Sequence, residues 1–255
     1  MQQRCQHRLD LSRLAVSACR HISPGGAGLV YKSVMIAIFD QIIAPEAIRE
    51  IRAAFDRIAF RDGRASAGAQ ASLVKDNLQA VPDDPVAEPI RRAIGDAIFR
   101  HSEFRLAARP RKLSPIMLSR YKPGMSYGAH VDHPISGGDM RRDVSFTLFL
   151  SEPDACEGGA LVLEDGAGER RIKLLAGSMV IYPSTMLHRV EEVTQGERLA
   201  AVGWAHSMVR DAKKREILYD LNVARLDLFE QYGKSKNSDL LAKTAANLLQ
   251  MWAEL

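Results

Sequence analysis

His130 and Asp132 stand two residues apart, just after the turn-rich stretch Tyr121-Lys122-Pro123-Gly124-Met125-Ser126-Tyr127-Gly128-Ala129. Side chains at i and i+2 of an extended strand leave the same face, so an imidazole and a carboxylate can reach one small object together. Such a pair suits a metal ion. A third ligand has to come from a distant strand, and Pro183-Ser184-Thr185-Met186-Leu187-His188 supplies His188 at a strand edge. Two imidazoles and one carboxylate on one side of Fe(II) leave three adjacent positions open, where a co-substrate and dioxygen can share the ion.

Further along, Arg198 opens the run Arg198-Leu199-Ala200-Ala201-Val202-Gly203-Trp204 on what reads as the neighbouring strand. Its planar fork is shaped for a carboxylate. A guanidinium in so apolar a strand needs an anionic partner inside the protein, with surface pairing to Glu191 or Glu192 as the competing reading.

These residues, in this order and spacing, resemble the 2-oxoglutarate- and Fe(II)-dependent oxygenases. The flanking stretches Lys75-Asp76-Asn77-Leu78-Gln79, Tyr121-Lys122-Pro123-Gly124-Met125, Glu157-Gly158-Gly159 and His188-Arg189-Val190 are similar to the PKHD-type (prolyl-hydroxylase-like) hydroxylases. The resemblance runs from roughly Met35 to the C-terminus. It implies a catalytic Fe(II) held by His130, Asp132 and His188, and 2-oxoglutarate chelating that iron with Arg198 on its C5 carboxylate. It also implies that Tyr121 faces the co-substrate, with L-ascorbate as a rescuing reductant. Thr147 is the residue available for a polar strand position used by the wider superfamily.

The implied activity is oxidative decarboxylation of 2-oxoglutarate to succinate, coupled to hydroxylation of a small-molecule or peptidyl substrate. Two other classes stay open. A cupin-like metal protein without 2-oxoglutarate would not need Arg198, and a non-catalytic binding module would have no reason to retain Fe(II). His133 reads as a rim residue, His101 and His206 as structural, and Cys156 as packing.

The elements that must position these residues begin at Ser114, where short apolar runs expected as strands (116–121, 144–150, 160–163, 170–174, 179–182, 188–193 and 199–206) alternate with turn signals such as Ser136-Gly137-Gly138 and Asp165-Gly166-Ala167-Gly168. With the ligand set, this reads as an α+β fold with a double-stranded β-helix (jelly-roll) core, N-terminal buttressing helices and a C-terminal helical extension. Pro45-Glu46 opens one buttressing helix, with Pro in the first turn and an acid near the positive end of the dipole. Ile90, Ile94 and Ile98 mark a second helix over 86–100. The loop from Asp62 to Gly68, continuing to Lys75, Asn77 and Gln79, is read either as a border of the site's mouth or as a solvated loop.

Four regions follow: 1–34, 35–111, 112–208 for the oxygenase jelly roll, and 209–255. Residues 1–34, basic and closed by Pro24-Gly25-Gly26, read as a disordered tail, a transit-like segment or sequence ahead of a start at Met35. The C-terminal helices, broken at Gly233, either pack back onto the jelly roll or form a homodimer surface.

The 255 residues, 46% hydrophobic and 26% charged, suit a soluble globular chain, and a net charge of +4 with interleaved signs argues against a nucleic-acid partner. Three cysteines cannot build a disulfide framework, which fits a cytoplasmic location. No apolar run is long enough for a membrane span.

Overall fold

The computed structural model describes residues 36–254, so the reading of residues 1–34 lies outside the described residues. Two antiparallel sheets carry the core. The major sheet has eight strands: Ala37–Phe39, Met179–Pro183, Val144–Phe149, Arg198–Ser207, Met117–Tyr121, Leu78–Ala80 and Phe60–Asp62 in spatial order, with Pro110–Leu113 on the far half of Arg198–Ser207. The minor sheet has five: Gly168–Ile172, Leu161–Asp165, Leu187–Val190, Ser126–His130 and Lys75–Asp76.

Strand alternation sorts the major sheet's side chains onto two layers. Val144, Phe146 and Leu148, with Met179 and Ile181, face a helical layer, where Ile48, Ile51 and Phe55 of helix Pro45–Phe55 and Ile90, Ile94 and Ile98 of helix Ala87–Arg100 are buried. The intervening Phe149, Val180 and Tyr182 meet Leu161, Leu163 and Val190 of the minor sheet in a second apolar cluster. Because both faces of Val144–Phe149 are covered, all six of its residues are buried.

One short segment belongs to both sheets. Lys75–Asp76 pairs with Ser126–His130 in the minor sheet, Leu78–Ala80 pairs with Met117–Tyr121 in the major one, and Asn77 alone separates them. These strands, Pro110–Leu113 and Phe60–Asp62 are too short and polar to show in the sequence pattern. Helix Ser102–Ala108 escaped it too; His101 Nδ1 caps it by accepting from the Phe104 amide.

The C-terminal helices Ala212–Tyr232 and Lys236–Trp252 reverse at Gly233, where φ is +67°, and the first packs on helix Ser102–Ala108. Arg215, 2% exposed, anchors it by donating to the carbonyls of Val209 and Arg210 at 2.8 and 2.7 Å. Glu254 pairs with Arg141 at 2.7 Å. The hairpin thus packs back onto the body of the protein, leaving Phe229, Tyr232, Leu240 and Met251 exposed.

Candidate active site

His130 is the last residue of strand Ser126–His130 and stands directly opposite His188 of Leu187–Val190 in the ladder. Their ring centroids are 4.2 Å apart. Each ring is oriented by a carbonyl two residues earlier in its own chain: Nδ1 of His130 donates to Gly128 O at 2.8 Å, and Nδ1 of His188 to Met186 O at 3.0 Å. That fixes Nε2 as the nitrogen with a free lone pair in both rings.

Asp132 does not share a strand with His130, because the strand ends at His130 and Asp132 lies in the segment beyond it. The shared strand face expected from the i, i+2 spacing is therefore replaced by irregular chain beyond the strand's end. Asp132 Oδ2 comes within 3.9 Å of His188 Nε2 and accepts a 2.6 Å hydrogen bond from Ser145 Oγ of the major sheet. Ligand atoms of His130, Asp132 and His188 all lie within 4.8 Å of one another. The donor set fits Fe(II): one carboxylate offsets part of its charge and two neutral imidazoles suit a borderline cation. Burial, and next the neighbouring His188, push the His130 pKa down to about 4, which keeps that imidazole neutral at ordinary pH.

Arg198 comes from the sheet facing His188, rather than from a strand beside it. It opens strand Arg198–Ser207 opposite Tyr121, is 3% exposed, and lies 5.1 and 5.6 Å from the ring centroids of Tyr121 and Phe149. Glu191 is taken by Arg171 at 2.6 Å, and the Nε of Arg198 is buried without a hydrogen-bond partner. A buried guanidinium in that state fits the carboxylate of a bound ligand. Burial also raises the Tyr121 phenol above its usual range, so its hydroxyl stays protonated and able to donate.

Arg198, Tyr121 and the three metal-type ligands line one cavity of about 350 Å³. Thr147 lines it and hydrogen-bonds with Tyr182, another buried phenol pushed well above its usual range by desolvation. Tyr127 stacks on His130, with centroids 3.7 Å apart and planes 16° from parallel. His133 sits exposed at the rim, and residues 66–71 border the mouth.

Lys75, read in the sequence as a border of the mouth or part of a solvated loop, lines the cavity, and so do Ser145, Arg142 and Trp204, which the sequence reading did not single out. Trp204 carried a weak signal: it shares strand parity with Arg198, which turns both side chains inward. Arg142 carried none.

A jelly-roll sheet pair around two histidines, an aspartate and a buried arginine defines the class, and the comparisons agree with it. The family model for the 2OG-Fe(II) oxygenase superfamily matches residues 116–206. A PKHD-type hydroxylase of Picosynechococcus is 47% identical over 214 residues, 84% of this chain and 97% of that protein. One of Gloeothece citriformis is 45% identical over 221 residues, 86% of this chain and all (100%) of that one. A prolyl hydroxylase of Trichoplax adhaerens, solved with a hypoxia inducible factor peptide fragment, shares the fold with a TM-score of 0.52 at 16% identity, over 72% of this chain and 86% of that one.

The protein is an Fe(II)- and 2-oxoglutarate-dependent dioxygenase. Within that class, the chain belongs to the PKHD-type hydroxylases. No helix among the described residues is long and apolar enough to cross a membrane.

Proposed function

We propose that His130, Asp132 and His188 hold the Fe(II), and that Arg198 and Tyr121 seat 2-oxoglutarate for hydroxylation of a small-molecule or peptidyl substrate in the cytoplasm. The observation that carries this reading is the buried guanidinium of Arg198, without a carboxylate of its own, in the same cavity as the three ligand side chains. A cupin-like protein has no use for a buried arginine so placed.

Iron and 2-oxoglutarate bound here would together supply the oxidising power for hydroxylation, and L-ascorbate would serve as the rescuing reductant. The chain's own residues bind and orient. The carbonyls of Gly128 and Met186 hold both imidazoles in the tautomer that presents Nε2 to the metal. Ser145 fixes the Asp132 carboxylate, and Tyr182 walls the site, its ring edge-on to His188 at 5.0 Å. The apolar side chains Leu161, Val190 and Val202 line the cavity and exclude water from that part of its wall. Arg198 sets the depth at which a dicarboxylate sits.

The test is succinate formed from 2-oxoglutarate by anaerobically loaded Fe(II) protein on admitting oxygen, beside His130→Ala and Arg198→Ala. Slow turnover is expected in the wild type, none in His130→Ala, and turnover only at much higher 2-oxoglutarate in Arg198→Ala. Wild-type succinate production that ignores the Arg198 change would remove Arg198 from this role. The exposed Phe229, Tyr232, Leu240 and Met251 are the face through which the C-terminal hairpin would form a homodimer, which sedimentation of Phe229→Glu against wild type would decide.

A further inference from the structure

The cavity holds two further cations for which the iron and co-substrate leave no use. Lys75 is 6% exposed; its Nζ donates to the Ser66 hydroxyl at 2.9 Å and lies 4.8 Å from the Tyr127 ring centroid. Arg142 is half-buried with its guanidinium 3.7 Å from the Trp204 ring centroid. Its Nε and the Trp204 Nε1 are both buried without hydrogen-bond partners. Asp132 is the carboxylate whose charge favours the charged form of both cations. Asp62 acts on Lys75 in the same sense, but it is held by Arg64 at 2.6 Å.

Charge balance then decides what these cations await. A divalent ion and Arg198 together offset Asp132 and dianionic 2-oxoglutarate, so the loaded inner site is neutral. Lys75 and Arg142 remain as two desolvated positive charges in one cavity, near enough for Arg142 to disfavour the charged form of Lys75. Cations kept out of water require an anion or cost several kcal/mol. Lys75 lies over Tyr127, which stacks on His130, and donates to Ser66 of the bordering loop, while Arg142 lies within the field of Asp132.

We propose that the hydroxylation substrate carries an oxyanion, a carboxylate or a phosphate, which is seated between Lys75 and Arg142 while the Trp204 indole N–H and Arg142 Nε supply hydrogen bonds. The proposal rests on the assignment of the metal and 2-oxoglutarate sites above. An Arg held over an indole, here 3.7 Å from the ring centroid, is restrained for bidentate contact with an oxyanion, and the ammonium of Lys75 adds a point charge from the opposite sheet.

The experiment uses protein loaded with stoichiometric Mn(II) and saturated with 2-oxoglutarate, titrated with inorganic phosphate and separately with acetate. Paramagnetic relaxation of the phosphorus and of the acetate methyl protons reports any anion held near the metal. Saturable relaxation by at least one of them is expected in the wild type, and which one relaxes more separates phosphate from carboxylate. Binding should be at least tenfold weaker in Lys75→Met and in Arg142→Gln, lost in the double variant, and regained in Lys75→Arg. Retained 2-oxoglutarate binding shows that the variants are folded.

Absence of saturable relaxation with either anion overturns the proposal. So does relaxation that survives in the double variant, or that rising 2-oxoglutarate removes, which would mean the anion had entered the co-substrate seat. Failure of Mn(II) to promote 2-oxoglutarate binding in the wild type overturns instead the site assignment on which the proposal rests.

Discussion

Ser145 Oγ reaches across from the major sheet to Asp132 Oδ2 at 2.6 Å, and Ser184 Oγ lies 3.0 Å behind it. Asp132 sits beyond the end of its strand, so this hydrogen bond, rather than a β-ladder, fixes the direction of its carboxylate. Removing it with Ser145→Ala is expected to weaken metal affinity by about 10–100-fold, the usual effect of losing a partner that orients a ligand. Mn(II) titration of wild type and variant checks this; unchanged affinity would show that the chain path alone positions Asp132.

Arg198 carries opposite consequences for stability and function. Its unpartnered burial costs roughly 1–3 kcal/mol or more, against about 0.5–2 kcal/mol recovered from the rings of Tyr121 and Phe149. Arg198→Met should therefore raise the melting temperature of the metal-free protein by a few degrees, taking about 2–4 °C per kcal/mol for a chain of this size. The same variant should bind 2-oxoglutarate far more weakly. Calorimetry in the absence of ligands, paired with a 2-oxoglutarate titration, measures both.

Gly159 has φ of +66°, and a Cβ there would lie 3.2 Å from Arg198 Cδ and 3.0 Å from Val193 Cγ2. Gly159→Ala should cost about 1–2 kcal/mol from the left-handed backbone alone. It should also raise the KM for 2-oxoglutarate by pressing on the arginine stem, while metal affinity is kept. Denaturant unfolding reports the first effect and steady-state kinetics the second.

Desolvation lowers the Lys75 pKa to about 8 from the usual 10.5. The folded protein thus releases this proton at lower pH than the unfolded chain. The resulting penalty on stability is fully present below about pH 8, and it fades as pH rises toward 10.5, where both states are neutral. Binding of an anion needs the charged form, so phosphate or acetate affinity at the Lys75 and Arg142 seat should hold below about pH 8 and fall above it. Relaxation titrations at pH 7 and pH 9, repeated on Lys75→Arg, would show whether the loss follows this lysine.

Much of the jelly roll was legible because its strands combine apolar side chains with glycine-bearing turns. The runs at 144–150, 179–182 and 199–206 match Val144–Phe149, Met179–Pro183 and Arg198–Ser207 to within a residue or two. The expected run at 188–193 instead splits into Leu187–Val190 and Val193–Gly196, which belong to different sheets. Lys75–Asp76 was invisible because a two-residue polar strand is made by its partner, not by its own pattern. Arg142 and Trp204 meet because the pairing of Val144–Phe149 with Arg198–Ser207 puts Ser145 opposite Trp204, a register no single stretch announces.

The passage from Lys75–Asp76 through Asn77 to Leu78–Ala80 is a clasp between two walls. With one residue between its two pairings, it cannot lengthen without breaking ladder hydrogen bonds on one side or the other. The aperture therefore has one jaw of fixed span, and that jaw carries Lys75.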